Sequence, residues 1–517
     1  MTASVSVDRP SIVGERAPWF WAGCVAISVG VLLHLPMLAH AHAMGHNSMS
    51  HMPMDGWMML GMALIFIGVP LACWGALPRH RAPHDSAAAT GYEARDDTPL
   101  NRWHAGVLLV LTLGLVIDVM KPATLGFVLP GLAREYGIER STAALLPLVA
   151  LIGTTVGSLL WGWLADVYGR RVSILLSTIL FVSTSICGAM PAFEWNLLMC
   201  FLMGSSAGGM LPVVYTLLAE VMPPRHRSWI LVFVGGTGLV GGYLAASAAA
   251  HTFEPIYGWR SLWLQGFPSG LLLLALARLI PESPRFLAEQ GRMVELKQME
   301  HRFGIVPRGA PGVESTGSGD LRHRRLTVAL TVAALSWSFV NFGLLLWLPS
   351  DLQARGYSAE LASGIIASSA VLALPTVMLA AFFYSRWSSK WTLVGTALLT
   401  FVGLVGAVLP AQVLTWPPLL IAVIACLIVG TNGMIAVLLP YTAESYPLGI
   451  RARATGLVAG SSKFGGVAVQ LFALAGLIPT LSGAALGLLA PMAASAGLIG
   501  WAGRETCGRS LRELERS

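Results

Sequence analysis

The sequence predicts an all-α polytopic membrane protein of fourteen transmembrane helices, twelve forming two six-helix bundles and two standing ahead of them. Three observations predict it. Of 517 residues, 55% are hydrophobic and only 11% charged, with a mean hydropathy of +0.68, too little charge to coat a soluble protein of this length. Apolar stretches of about 20 residues recur along the chain, each long enough to cross ~30 Å of hydrocarbon as a helix. None shows the two-residue alternation of a barrel strand. Lastly, a motif repeats at long range: "LLAEVMPPRHR" (Glu220, Pro223, Arg227) and "YTAESYPLGIR" (Glu444, Pro447, Arg451) share one skeleton offset by 224 residues.

In chain order, residues 1–17 form a cytoplasmic N-terminus and 18–77 hold the two extra spans, roughly 18–38 and 57–77. Arg9, Arg16, an apolar run and Ala39-His40-Ala41 imitate a signal peptide with its cleavage site. The length of the run and its Trp19, Phe20 and Trp21 favour a retained helix. The linker 78–103, which contains "PRHRAPHDSAAATGYEARDD", reads as a solvated tether. Six spans fall within 104–280, near 104–130, 143–165, 171–192, 196–221, 229–252 and 260–280. Six more fall within 326–503, near 326–349, 360–385, 391–410, 416–440, 453–478 and 481–503. The central segment 281–325 carries the flexible Gly/Ser-rich "RGAPGVESTGSGD", and 504–517 form a cytoplasmic tail. Two duplicated six-helix halves are a transporter architecture, with the binding site near the midplane between them.

The net charge of +7 records orientation rather than an affinity for nucleic acid. With the N-terminus in the cytoplasm, four of the 33 Lys and Arg face outward (Arg134, Arg140, Arg260, Arg355) and two lie within spans (Lys121, Lys463), leaving 27 in cytoplasmic segments. That is a strong positive-inside bias and predicts a multi-pass inner-membrane protein with both termini cytoplasmic. The six cysteines form no CxxC pair and read as small apolar filler.

The repeated Glu/Pro/Arg set makes physical sense as a latch. Proline ends the helix at the water boundary, and the carboxylate just inside meets an arginine where low dielectric strengthens the pair. An ordinary topogenic loop with a helix stop is the plain alternative for one copy; two copies at equal spacing favour the latch. "GWLADVYGRR" between the second and third core spans adds Gly162, Asp166, Gly169, Arg170 and Arg171: glycines for close approach and a tight turn, charges for pairing at the cytoplasmic face. Here the chain resembles the major facilitator superfamily, whose signature at this loop is G-x-L-x-D-R-x-G-R-R, departing from it at Val167. The corresponding loop of the second half, "FFYSRWSSKW", keeps mainly Arg386 and Lys390. "PESPRFL" (Pro281 to Leu287), "AESYPLGIRARATG" and "GGMLPVVYTLLAEVMPPRHR" resemble the sugar-porter-like carriers and the aromatic-acid and metabolite:proton symporters. The resemblance covers roughly residues 104–503.

Ionisable side chains inside spans default to functional hypotheses. Asp118 and Lys121, in "LVIDVMKPATLGFVLPGL", are three apart and expected to pair on one helix face. Symporters of the branch carry D-G-[FY]-D here; counting back from Gly126, Phe127 and Pro130 places Asp118 on the first acid and Lys121 on the second. An anionic solute competing with Asp118 for Lys121 would release Asp118 to take a proton; the plain alternative is a buried ion pair that fixes the helix. Lys463 in "GSSKFGGV" stands where relatives often show arginine, and either meets cargo or packs at the cytoplasmic gate. Asn341, Asn432 and Gln470 add polar groups within spans, and Trp337 and Trp347 are candidates for stacking on a planar ligand or for plain packing.

The stretch 34–59, "HLPMLAHAHAMGHNSMSHMPMDGWMM", holds five histidines and seven methionines in an outward hairpin. Imidazole and thioether together suit copper, so His34, His40, His42, Met44, His46, Met49, His51, Met52 and Met54 are candidate ligands of an accessory copper site. An incidental loop and simple packing are the plain readings. No Walker lysine loop, HExxH or Ser/His/Asp arrangement stands out, which argues against an ATP-driven pump or an enzyme. The expectation is therefore a secondary carrier moving a small organic anion, aromatic acids among the candidates, with protons by alternating access, acting as a monomer without cofactor. A copper carrier and a non-transporting membrane sensor on a carrier scaffold are the alternatives.

Overall fold

The computed structural model describes residues 16–43, 55–77, 91–95, 97–308, 321–410, 412–414, 416–446, 448–477 and 480–507. Fourteen helices among them are long and apolar enough to cross a membrane. The leading pair is α1 (Ala17–His40) and α2 (Gly56–Ala76). The first half comprises α3 (Arg102–Tyr136), α4 (Arg140–Tyr168), α5 (Arg170–Ala189), α6 (Phe193–Val221), α7 (Pro224–Tyr257) and α8 (Ser261–Leu279). The second comprises α9 (Arg324–Ala354), α10 (Ala359–Arg386), α11 (Ser389–Val408), α12 (Pro417–Ser445), α13 (Ala454–Leu474) and α14 (Leu481–Ala502). With 35 residues in α3 and 34 in α7, these two exceed the ~20 that hydrocarbon requires. Their polar ends, which a hydropathy reading leaves out, continue the helix beyond the bilayer core.

Local chemistry sets the boundaries. Asn101 caps α3, its Oδ1 accepting from the backbone N–H of Trp103 at 2.9 Å and His104 at 3.2 Å, and Gly137 ends the helix in the left-handed region at φ +62°. Ser358 caps α10, accepting from Leu361 N–H at 3.1 Å. Ser388 caps α11, accepting from Trp391 N–H at 3.0 Å. A π-helical turn, Phe339–Leu345, interrupts α9; such turns are frequent at functional sites.

Within the first half, α7 packs along α3 and α4 along α6; in the second, α11 packs against α12 and α14, and α9 against α13 and α14. Two equivalent seams join the halves, α7 against α10 and α4 against α13, and α7 packs on α12 as well. Exchanging the halves converts one seam into the other, as a duplicated structure requires. The α1–α2 hairpin packs on α5, and glycines close its own seam: a Cβ at Gly75 would collide with Phe20 N, and one at Gly30 would lie 2.7 Å from Gly61 O.

The α4–α5 turn and the segment between the halves share one face of the molecule, the basic face. On it, Gly91–Ala94 (β1) pairs antiparallel with Ile305–Arg308 (β2), Tyr92 opposite Pro307 and Ala94 opposite Ile305. The reading of 78–103 as a solvated tether is thus corrected for its C-terminal part. Asn101 Nδ2 donates to Arg302 O at 2.7 Å, Arg95 N–H to Gly304 O at 3.1 Å, and Ala94 is buried. The central segment is also more ordered than its Gly/Ser content suggests, with helices Pro284–Glu289 and Met293–Phe303. Phe286, Leu287, Leu296, Met299 and Phe303 bury one face of each. The Gly/Ser-rich stretch itself, 309–320, lies outside the described residues.

Candidate functional site

Away from the ends of the core helices, Asp118 and Lys121 stand in α3 and Lys463 in α13. Lys121 is fully buried. Its Nζ donates to Phe181 O at 2.7 Å and Thr184 Oγ1 at 2.6 Å, and lies 4.4 Å from the centre of the Phe181 ring. Both acceptors belong to α5, and a Cβ at Gly266 of α8 would come within 3.3 Å of the same ammonium. The lysine is therefore enclosed in the first half between α3, α5 and α8. The expected pair with Asp118 does not form, because a carbonyl and a hydroxyl fixed on α5 satisfy the ammonium instead. The charged neighbour of Asp118 is Lys463, and that of Lys463 is Asp118. The acid of one half thus lies in the field of the base of the other, with no ion pair within 4 Å between them.

Further polar groups tie the same region. Tyr243 of α7 donates its hydroxyl to Asn341 Oδ1 at 3.0 Å, joining the halves at the π-helical turn of α9. Gln470 Nε2 donates to Phe342 O at 2.8 Å, and Trp347 Nε1 donates to Gln470 Oε1 at 3.3 Å. Trp337 is packed edge-on against Phe342, ring centres 5.8 Å apart. Asn432 of α12 is 1% exposed, and neither its Oδ1 nor its Nδ2 meets a partner. An amide buried unpaired costs about 1–3 kcal/mol per orphaned group.

On the basic face, the first-half charges converge. Arg170 is 9% exposed and its Nη2 lies 3.2 Å from Glu220 Oε1 and 3.4 Å from Asp166 Oδ1. The Asp166 side chain is 76% exposed, so Glu220 is the stronger partner. Glu282, from "PESPR", supplies what the signature loop alone does not show. Its Oε1 accepts from the backbone N–H groups of Arg170 at 2.7 Å, Arg171 at 3.4 Å and Ser283 at 2.9 Å, so a carboxylate caps the positive end of α5. Burial pushes the Glu282 carboxyl above the usual range, against the amide bonds that pull it down. Gly169 makes the tight turn expected of it, at φ +101°. Gly162 does not provide a close approach: a Cβ there would meet nothing within 4 Å.

The second half reaches an equivalent arrangement by different residues. Glu444 accepts from Tyr384 Oη at 2.7 Å, Thr506 Oγ1 at 2.9 Å and, across the seam, Ser228 Oγ of α7 at 2.8 Å. Its cationic neighbour is Arg227 of the first half, whose Nη2 also donates to Met222 O at 3.4 Å; the side chain of Arg451 lies outside the described residues. Glu505 caps α11 as Glu282 caps α5, accepting from Ser389 N–H at 2.8 Å, Ser389 Oγ at 2.7 Å, Cys507 N–H at 2.9 Å and Ser388 Oγ. Burial raises its carboxyl, but these bonds together outweigh it and leave Glu505 below the usual range. Sequence reasoning missed Glu282 and Glu505. Their spacing of 223 residues matches the 224 between Glu220 and Glu444, a signal that was available.

In the leading hairpin, His34 is buried, with Nδ1 2.7 Å from Gly30 O and its ring against Gly61. It fills the α1–α2 seam and does not face a loop. His40 is exposed near the end of α1. The side chains of His42, Met44, His46, Met49, His51, Met52 and Met54 lie outside the described residues. Among the described residues, no group of three or more His, Cys, Asp or Glu is placed to hold a metal.

Two duplicated six-helix halves with acids and bases set between them are the architecture of a membrane carrier. The sequence pattern of the Major Facilitator Superfamily matches residues 111–470, and the chain belongs to that family. It is 27% identical over 397 residues to a niacin transporter of Acinetobacter baylyi, covering 73% of this chain and 88% of that one. It is 28% identical over 399 residues to a 4-hydroxybenzoate transporter of the same organism, covering 72% and 84%. Among solved structures it is similar to the proton:xylose symporter XylE bound to 6-bromo-6-deoxy-D-glucose, with a TM-score of 0.63, 18% identity, and coverage of 80% of this chain and 98% of that one. The relatives are transporters, and the chain is a multi-pass membrane carrier rather than an enzyme.

Proposed function

We infer that the protein moves a small organic anion, of the aromatic-acid class, together with protons, by alternating access between its two halves. The observation that carries this reading is the Asp118–Lys463 relationship across the seam. A solute carboxylate reaching Lys463 competes with Asp118 for the one positive charge. Asp118, deprived of its counter-ion in a low-dielectric interior, then takes a proton. Solute and proton bind together and leave together. Asn341 and the unpaired amide of Asn432 offer polar contacts to the rest of the solute, and Lys121 holds α3 against α5.

The names of the two transporter relatives, for niacin and 4-hydroxybenzoate, support an aromatic ring bearing one carboxylate as the cargo. The Arg170–Glu220 pair and the Ser228–Glu444 bond act as gates on the basic face. The positive charge of that face supports a cytoplasmic position for it, and with it an inner-membrane carrier whose two termini are inside. The functional unit is the monomer, since each half supplies one member of the central pair.

The test is uptake of labelled 4-hydroxybenzoate and nicotinate into proteoliposomes under an imposed inward proton gradient. Accumulation above equilibrium is expected for the native chain. Asp118→Asn is expected to abolish accumulation while keeping solute exchange. Gradient-driven accumulation that persists in this variant rejects the coupling role of Asp118.

A further inference from the structure

A cavity of about 920 Å³ opens at the basic face between the starts of α1 and α3, the end of α8 and the central segment. Ala17 and Arg102 begin their helices there and Leu279 ends its own, so the cavity sits where hydrocarbon meets water. Its wall is of two kinds. Trp21, Leu279 and Met299 represent the apolar part, and four guanidinium groups, Arg102, Arg171, Arg278 and Arg302, supply the rest.

The two acids in the wall are already engaged. Glu282 holds the amides of Arg170, Arg171 and Ser283, and Glu295 takes Arg292 in two bonds of 2.8 Å. The arginine side chains are not in direct contact with an acid, although Arg171 lies in the field of Glu282 and Glu295. Among the described residues none of the four makes an ion pair, and Arg171 Nε is buried without an acceptor. Arg102 and Arg302 share only the Trp103 ring, at 5.3 and 4.2 Å.

Guanidinium groups match phosphate oxygens in number and direction of donors, and basic pockets between helices at this depth suit phospholipid headgroups. The geometry points to a binding site for an anionic phospholipid, its phosphate among Arg102, Arg278 and Arg302 and its chains along Trp21 and Leu279. Such a lipid bridges the leading hairpin, the first core helix and the central segment. It makes the extra pair of helices part of the scaffold of the basic-face gate. Neither the solute site nor the family's twelve core helices alone supply this cavity, because α1 forms one wall.

The test is thermal unfolding of the purified full-length chain in detergent, titrated with phosphatidylglycerol, phosphatidylcholine or inorganic phosphate. Phosphatidylglycerol is expected to raise the melting temperature, and the other two to leave it unmoved. In the Arg102→Gln/Arg278→Gln double variant the half-saturating phosphatidylglycerol concentration should rise about tenfold or more. Lys297→Gln, an exposed charge on the same central segment but outside the cavity, should behave as the native chain. An undiminished response of the double variant overturns the site. An equal shift with inorganic phosphate alone overturns the lipid as its occupant.

Discussion

The carboxylate of Glu282 occupies the place where a side chain at position 169 would stand: a Cβ on Gly169 would collide with Glu282 Oε2. The turn that starts α5 and the acid that caps it therefore exclude any residue but glycine, on two counts. The backbone at φ +101° disfavours an L side chain, and the cap fills the space. Gly169→Ala should cost about 1–3 kcal/mol from backbone strain alone, with further loss as Glu282 is displaced. Gly162→Ala should be close to neutral, since nothing lies within 4 Å. Melting temperatures of the two variants in detergent decide this; equal shifts would show that Glu282 moves freely.

The two caps should titrate in opposite senses. Glu505 lies below the usual carboxylate range, so its contribution to stability is full above ~4.3, the unfolded value, and is lost as the pH falls through its lower folded value. Glu282 lies above that range because burial dominates. Its contribution is full below the unfolded value and is lost as the pH rises through the folded one. Melting profiles between pH 4 and pH 8 should therefore lose an acid-stabilised component in Glu282→Gln, which keeps an oxygen for the amides. Glu505→Gln should instead flatten the profile only at its most acidic end. A Glu282→Gln profile parallel to that of the native chain would contradict the burial argument.

Lys121→Met tests whether the buried lysine is scaffold or cargo site. Thr184 Oγ1 donates to Phe181 O at 3.0 Å, so that carbonyl keeps a partner when the ammonium is removed. Replacing a buried charge by an apolar group of similar volume is often neutral or stabilising. Folding and the KM for organic acids are expected to stay within about threefold of native, a difference worth less than 1 kcal/mol. Loss of solute binding in a correctly folded Lys121→Met protein would return Lys121 to the transport path.

Lys463→Gln should discriminate between charged and neutral solutes. Losing a charge-assisted contact of about 1.5–3 kcal/mol weakens binding of 4-hydroxybenzoate by ~10–100-fold, while binding of the neutral 4-hydroxybenzamide should change little. Competition against labelled substrate in proteoliposomes measures both. Equal losses for the acid and the amide would mean that Lys463 supports the helix rather than the carboxylate.

How far these residues were legible in the sequence depends on the range of the interaction. The spans read directly, because twenty apolar residues have one common solution in lipid. The duplication read from Glu220 and Glu444, and the Gly169 turn from its motif. What failed was neighbour choice. Asp118 and Lys121 are near in sequence, and helical spacing suggests a pair, yet α5 offers the lysine better acceptors and α13 gives the aspartate a base. No local pattern encodes which distant helix supplies those groups. The second-half loop keeps mainly Arg386 and Lys390 of the motif, and Glu505, more than a hundred residues on, supplies the cap its own residues lack. The linker failed likewise, since a four-residue strand carries no signal without its partner.

That short strand pairing has a consequence for how the chain is made. Asn101 and Arg302, which meet beside it, are 201 residues apart, so the ribosome must release the entire first bundle before the earlier segment finds its mate. A nascent protein cannot fasten this clasp on an unfinished bundle. The ribbon can therefore close only once the whole first half has been synthesised.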